Sequence, residues 1–371
     1  MSKRTGIVGS AICTVLLLFT VVVATGVGPE LPGPHVRDWV GLGDPPLPDL
    51  CELEPGDIHK APGKPIAGHW RFEHNSPLPS PEAGAATIGR YVYMVGGQDR
   101  KATEPAVLRF DPVTGEYRHE PDSPVAIDHP VVAAHDGKVI LASGFIDGSK
   151  PTNRMWSYSP RTRKWTELPP MRTKRGAAAG VVVGDRLYVA GGITKFGNEN
   201  WPIPVFEIYD FGARRWRRGP DMPTARHHFG VGVVDGKLYF AGGRQPTNQS
   251  LDAFEEFDPA TDRWRRRSPV PIGTGSPGVT AIDGHVVVAG GGEDPVTPDE
   301  SGGWTLRATY AYDPSTGRWT RLPDMRQALH GLSIAALGNH VYVFRGIPCP
   351  GYGETSSVES LRVPVTWSKA G

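Results

Sequence analysis

Eight side chains carry most of the chemistry this sequence can offer: Glu82, Asp128, His129, Arg175, Arg226, His227, His228 and His330. Each lies about fourteen to sixteen positions ahead of the glycines that end a short apolar run, so they share one repeated register. The fifth register offers only Thr274 and Ser276. Carboxylate, imidazole and guanidinium groups, if a fold brings this register together, present donors and acceptors in fixed directions, which suits a polar ligand such as a sugar. A carboxylate beside an imidazole can also give and take a proton near neutral pH. The plainer reading is structural: an Arg or His just ahead of a strand can bond loop carbonyls. No metal is expected, because strand neighbours such as His227 and His228 face opposite ways. Nor does a His-x-His or Glu-x-x-His spacing occur. Nothing in the motifs calls for a cofactor.

The elements that must position these groups recur six times. The apolar runs are Tyr91–Gly97, Lys138–Gly144, Arg186–Gly192, Lys237–Gly243, His285–Gly291 and His340–Gly346, and their closing glycines are spaced by 47, 48, 51, 48 and 55 residues. Each is β-branched and aromatic, and most end in a glycine doublet; Ser143 and Arg345 replace the first glycine in two copies. A turn and a lone aromatic follow in five copies, at Phe110–Tyr117, Tyr158–Trp165, Tyr209–Trp216, Phe257–Trp264 and Tyr312–Trp319. Pro presets φ in these turns and Asp bonds its own backbone. Glycine doublet, turn and tryptophan in this order, at a period near fifty, resemble the kelch repeat over roughly residues 69 to 367. The resemblance implies an all-β, six-bladed, kelch-type β-propeller. By analogy with that family, the eight residues ring one channel mouth together with the loops that follow the glycine doublets.

The sixth unit is one strand short at its C-terminal end, and a spare strand, His69–His74, lies at the other end of the repeats. The segment around Trp70 is therefore expected to complete the last blade beside Leu361, which removes an open sheet edge. Among the loops, Trp201 and Trp304 are candidate exposed aromatics. The arginine-rich segments 214–218 and 263–267 read as charge guarding outer edges, or else as a basic stripe for an anionic surface.

Residues 1–26 form an apolar targeting segment, with Lys3 and Arg4 ahead of the run Ile7–Ala24. It serves as a signal peptide or as a membrane anchor, and both place the remainder outside the cytoplasm, secreted or membrane-anchored. Residues 27–68 are a Pro-rich linker and 69–371 the propeller. An exported chain with three cysteines, one of them in the apolar segment, is expected to join Cys51 to Cys349. A net charge of +1 leaves no footprint for nucleic acid. A monomer is expected.

Three functions stay open. One is an extracytoplasmic binding module taking a glycan or protein partner at the loop face, the usual role of kelch propellers. The second is a sugar-active enzyme resembling the kelch-type sialic-acid epimerases, although no catalytic motif matches residue by residue. The third is a copper radical oxidase of the galactose-oxidase type. It needs a Cys–Tyr crosslink with further Tyr and His ligands; Cys349 lies near Tyr352, but no Tyr-His pair occurs.

Overall fold

The computed structural model describes residues 65, 68–99, 102–195, 201–246, 249–293, 304–348 and 353–363. The apolar segment, nearly all of the linker, Cys51, Cys349 and Tyr352 lie outside them, and so does the expected disulfide. Every regular element among the described residues is a strand. No helix among them is long and apolar enough to cross a membrane.

Six antiparallel four-stranded sheets form the blades. Blade 1 comprises Gly84–Ile88, Tyr91–Val95, Val107–Asp111 and Glu116–Glu120, and blades 2 to 5 repeat that order. Blade 6 takes Ser333–Leu337, His340–Gly346 and Thr355–Arg362 from the C-terminal end, and its outer strand, Trp70–Phe72, from the N-terminal end. Trp70 pairs with Leu361, as the incomplete last repeat predicts.

The innermost strands are rich in Gly, Ala, Ser and Val because six of them converge on one axis. A Cβ on Gly84 would stand 2.3 Å from the Val132 side chain of the next blade. The channel they enclose measures about 430 Å³. Between blades lie apolar clusters, such as Tyr93, Val95, Val132, Leu141 and Trp156.

The aromatic after each turn stitches neighbouring blades. Trp165, Trp216, Trp264 and Trp319 donate their indole N–H to the carbonyls of Pro121, Pro169, Pro220 and Ser268, at 2.9–3.1 Å. Trp70 repeats the move onto Pro323 at 2.8 Å, and the Tyr117 hydroxyl donates to the His74 carbonyl across the last junction at 3.1 Å. Each stitch gives the polar end of a packed aromatic a backbone partner. The two residues that replace a doublet glycine keep the left-handed backbone, Ser143 at φ 63° and Arg345 at φ 56°.

On the outer strands, Arg217 meets Asp262 at 3.0 Å, Arg218 meets Asp221 at 2.6 Å and Arg267 meets Glu256 at 2.5 Å. Such pairing favours edge protection over a bare basic stripe.

Candidate functional site

One backbone feature gathers the site. Glu82, His129, Ala177, His228, Ser276 and Gly331 hold equivalent positions, two residues ahead of the innermost strand of each blade. All six have left-handed φ, between 48° and 60°. The N–H of each donates to the carbonyl of its counterpart in the preceding blade: His129 to Glu82, Ala177 to His129, His228 to Ala177, Ser276 to His228, Gly331 to Ser276 and Glu82 to Gly331, at 2.7–3.3 Å. The hydrogen bonds close on themselves around the channel mouth. Left-handed φ on five non-glycine residues is a costly backbone state. Here it is the geometry by which each blade meets the next, since even Ala177 adopts it.

Their side chains, with the residues that follow them, line a pocket of about 110 Å³. His129 is the pivot. Its Nδ1 lies 2.6 Å from Asp128 Oδ1 and its Nε2 lies 3.4 Å from Glu82 Oε2. Asp128 is buried and accepts a further bond from the Thr103 hydroxyl at 3.0 Å. Burial works against a charged His129, but Glu82 and Asp128 outweigh it, so its pKa is raised. His228 stands edge-on to His129 with ring centroids 4.7 Å apart, and its Nδ1 is hydrogen-bonded to that of His227. Burial, reinforced by His227, His129, Arg244 and His330, holds the His228 pKa well below the usual histidine range. The two neighbouring imidazoles are thus shifted in opposite directions.

Strand alternation does not hold at His227 and His228, because His228 has φ 53°. The reason given above against a metal therefore fails. Glu82, His129 and His228 each offer one ligand atom, and these atoms lie within 4.8 Å of one another.

Arg175 and Arg226 do not belong to this pocket. Two residues ahead of the ring position, each side chain turns into its blade and is fully buried. Arg175 bonds Glu207 at 2.5 Å and the carbonyls of Gly191 and Val205. Arg226 bonds Glu255 at 2.5 Å and the carbonyls of Thr224 and Phe240. Burial lowers the Arg175 pKa to about 10, with Glu207 opposing the change. The two arginines are structural cations, and the plainer reading holds for them.

In blade 6 the same place is taken by Leu329, so Glu359 has no arginine there. Its carboxylate accepts instead from the backbone N–H of Arg326 at 2.7 Å and of Gln327 at 3.0 Å. Burial outweighs these bonds and raises its pKa from the ordinary 4.5 to about 7. The folded chain then holds this proton to higher pH than the unfolded chain does. Its contribution to stability is full below about pH 4.5, falls as pH rises, and levels off above about pH 7, a loss of roughly 3 kcal/mol. In urea titrations across pH 4.5 to 8, Glu359→Gln is expected to flatten that part of the pH dependence. An unchanged slope would remove Glu359 as its source.

Comparison with known proteins agrees with this geometry. Residues 170–346 match the KLHDC2/KLHL20/DRC7 Kelch-repeats domain family and residues 129–172 the Kelch motif. The chain is a kelch-repeat β-propeller. Kelch-like protein terF of Aspergillus terreus is 32% identical over 206 residues, which is 50% of this chain and 45% of that protein. Kelch repeat and BTB domain-containing protein 12 of Danio rerio is 29% identical over 48% of this chain and 32% of its own length. Kelch-like protein 40 of Mus musculus is 29% identical over 45% and 27%. The chain spans less than half the length of each of these relatives. Among solved structures, YjhT superposes with a TM-score of 0.66 at 16% identity, covering 77% of this chain and 95% of that one, a likeness that speaks for the fold alone.

Within the kelch propeller, the loops that follow the glycine doublets meet the segments ahead of the innermost strands through single β-bridges. Asp128 pairs with Phe145, Gly176 with Ile193, His227 with Arg244, and His330 with Ile347. Both kinds of segment therefore emerge at one mouth. His330 is buried there, its Nδ1 3.4 Å from an Arg244 Nη. Arg244 reaches the mouth from the loop after a glycine doublet, outside the register of the eight residues. It packs so closely on Gly275 that a Cβ there would stand 2.2 Å from its Nε. Trp201 is exposed at 68% beside Pro202, which bridges Ile193, whereas Trp304 packs in its own blade with Leu306 and Tyr310. The Thr274 hydroxyl donates to the Gly290 carbonyl.

Proposed function

We propose that this kelch propeller is an extracytoplasmic interaction module that takes a protein partner at the mouth closed by the six-residue ring. The carrying observation is the pocket itself: about 110 Å³, lined by Glu82, His129, His228 and Ser276, at the centre of a loop face. Small-molecule sites usually enclose 300–1,000 Å³. A pocket this small suits one polar group presented by a larger partner, with the loops and Trp201 supplying the surrounding contact. The similarity to Kelch-like proteins supports a protein partner, and a glycan offering one hydroxylated end meets the same chemistry. The placement outside the cytoplasm rests on Lys3, Arg4 and the apolar run after them.

A photo-crosslinking residue at position 201 of the full chain, in the cells that make it, should trap a discrete protein adduct. The same residue at Val113, on an exposed turn at the opposite end of the channel, should not. Glu82→Gln should weaken the adduct without lowering thermal stability. Equal trapping at both positions, or none at 201, would overturn the reading, and competition by a free glycan would change the partner class. A second reading, a sugar-active enzyme, is favoured by the Asp128–His129–Glu82 chain, which joins a proton donor to an acceptor. Faster anomer interconversion of a free sugar, lost in Glu82→Gln, would support it.

A further inference from the structure

We propose that the mouth of the propeller holds a divalent transition-metal ion on Glu82, His129 and His228, an inference independent of the partner-binding reading. Three blades each contribute one side chain, and the closed backbone ring fixes all three Cα positions. Two imidazoles and a carboxylate form a donor set that suits zinc or iron(II), with coordination positions left open. In a tetrahedral site with bonds of 2.0–2.1 Å, neighbouring ligand atoms stand roughly 3.3 Å apart. Glu82 Oε2 and His129 Nε2 are already 3.4 Å apart. The ligand atom of His228 lies within 4.8 Å of both, so a side-chain adjustment of about 1.5 Å or less completes the set.

The surroundings also fit. A metal-ligating histidine usually has its other ring nitrogen held by a carboxylate or another polar group, which fixes the ring and strengthens the ligand. Asp128 holds His129 Nδ1 in this way at 2.6 Å, and His227 engages His228 Nδ1, so Nε2 is the ligating atom of both rings. The other ring positions leave room. Ala177 sits between the two histidines, and a Cβ on Gly331 would stand 2.4 Å from Glu82 Oε1. Ser276 lines the same pocket, and its buried hydroxyl has no hydrogen-bond partner among the described residues. It is placed to bond a water or a ligand group carried by the ion.

The test uses the untagged full chain, stripped with a chelator and dialysed against zinc, with metal content and affinity measured directly. One zinc per chain is expected. Cobalt(II) should replace it and give visible d–d bands of a four- or five-coordinate site. Glu82→Gln, which preserves shape, and His228→Ala should each weaken zinc binding at least tenfold. Asp128→Asn should weaken it by about 10–100-fold through His129. His119→Ala, an exposed control outside the mouth, should change nothing. Absence of stoichiometric zinc, or binding that survives Glu82→Gln in a chain with an unchanged melting curve, would overturn the assignment. Since the readout is the metal, a failed crosslink at position 201 leaves this result intact, and the reverse holds.

Discussion

Trp70→Ala is expected to lower the unfolding free energy by about 3–5 kcal/mol, the range for emptying a fully buried aromatic site. The residue is 1% exposed and packs in a cluster with Leu322, Val341 and Leu361. It lies on a three-residue strand that forms the outer edge of blade 6 among the described residues. Its indole N–H also bonds the Pro323 carbonyl, so one side chain holds both the strand and the junction with blade 5. Trp70→Phe keeps most of the packing but leaves that carbonyl without its donor, at a cost of about 1–3 kcal/mol. Urea unfolding of both variants measures the two effects separately. A loss below about 1 kcal/mol for Trp70→Ala would mean that the N-terminal strand does not hold the ring.

Arg226→Ala is expected to cost a similar amount, about 3–5 kcal/mol, because it leaves Glu255 buried and charged without its partner. Thr224 alone, whose hydroxyl donates to Glu255 at 2.7 Å, cannot balance that charge. A double variant, Arg226→Met with Glu255→Leu, should recover most of the loss, since both charges leave together and the space is refilled. The comparison separates a structural cation from a ligand-binding one. A ligand-binding arginine would lose binding with the fold intact, whereas here any loss of binding should follow the loss of fold. A singly substituted chain that unfolds at the wild-type urea concentration would overturn the structural assignment.

The buried pairs were partly legible without coordinates. Glu207, Glu255 and Glu359 each pair with the fourth residue of the second strand in their blades, Val189, Phe240 and Val343, and two of those three blades carry Arg175 or Arg226 ahead of the innermost strand. The joint appearance of Arg and Glu within the chain's own repeats was the signal that these arginines face inward. The neighbouring register, one or two residues later, is the one that reaches the channel. Nothing in residue spacing separates the two, because direction depends on the left-handed turn at Glu82, His129 and His228. That turn also upset the expectation that His227 and His228 diverge.

The sequence by itself determined the blade count, the strand order and the closure through Trp70. Those features follow from local patterns repeated at one period: β-branched runs, turns in which Pro and Asp dictate φ, and an aromatic at a constant offset. Tertiary structure alone decided which side chains meet. Glu82, His129 and His228 come from three different blades, and they converge because six equivalent backbone N–H groups bond around a closed circle. Such a circle exists only after the last blade has joined the first, so no local pattern in the chain can encode the distances across it.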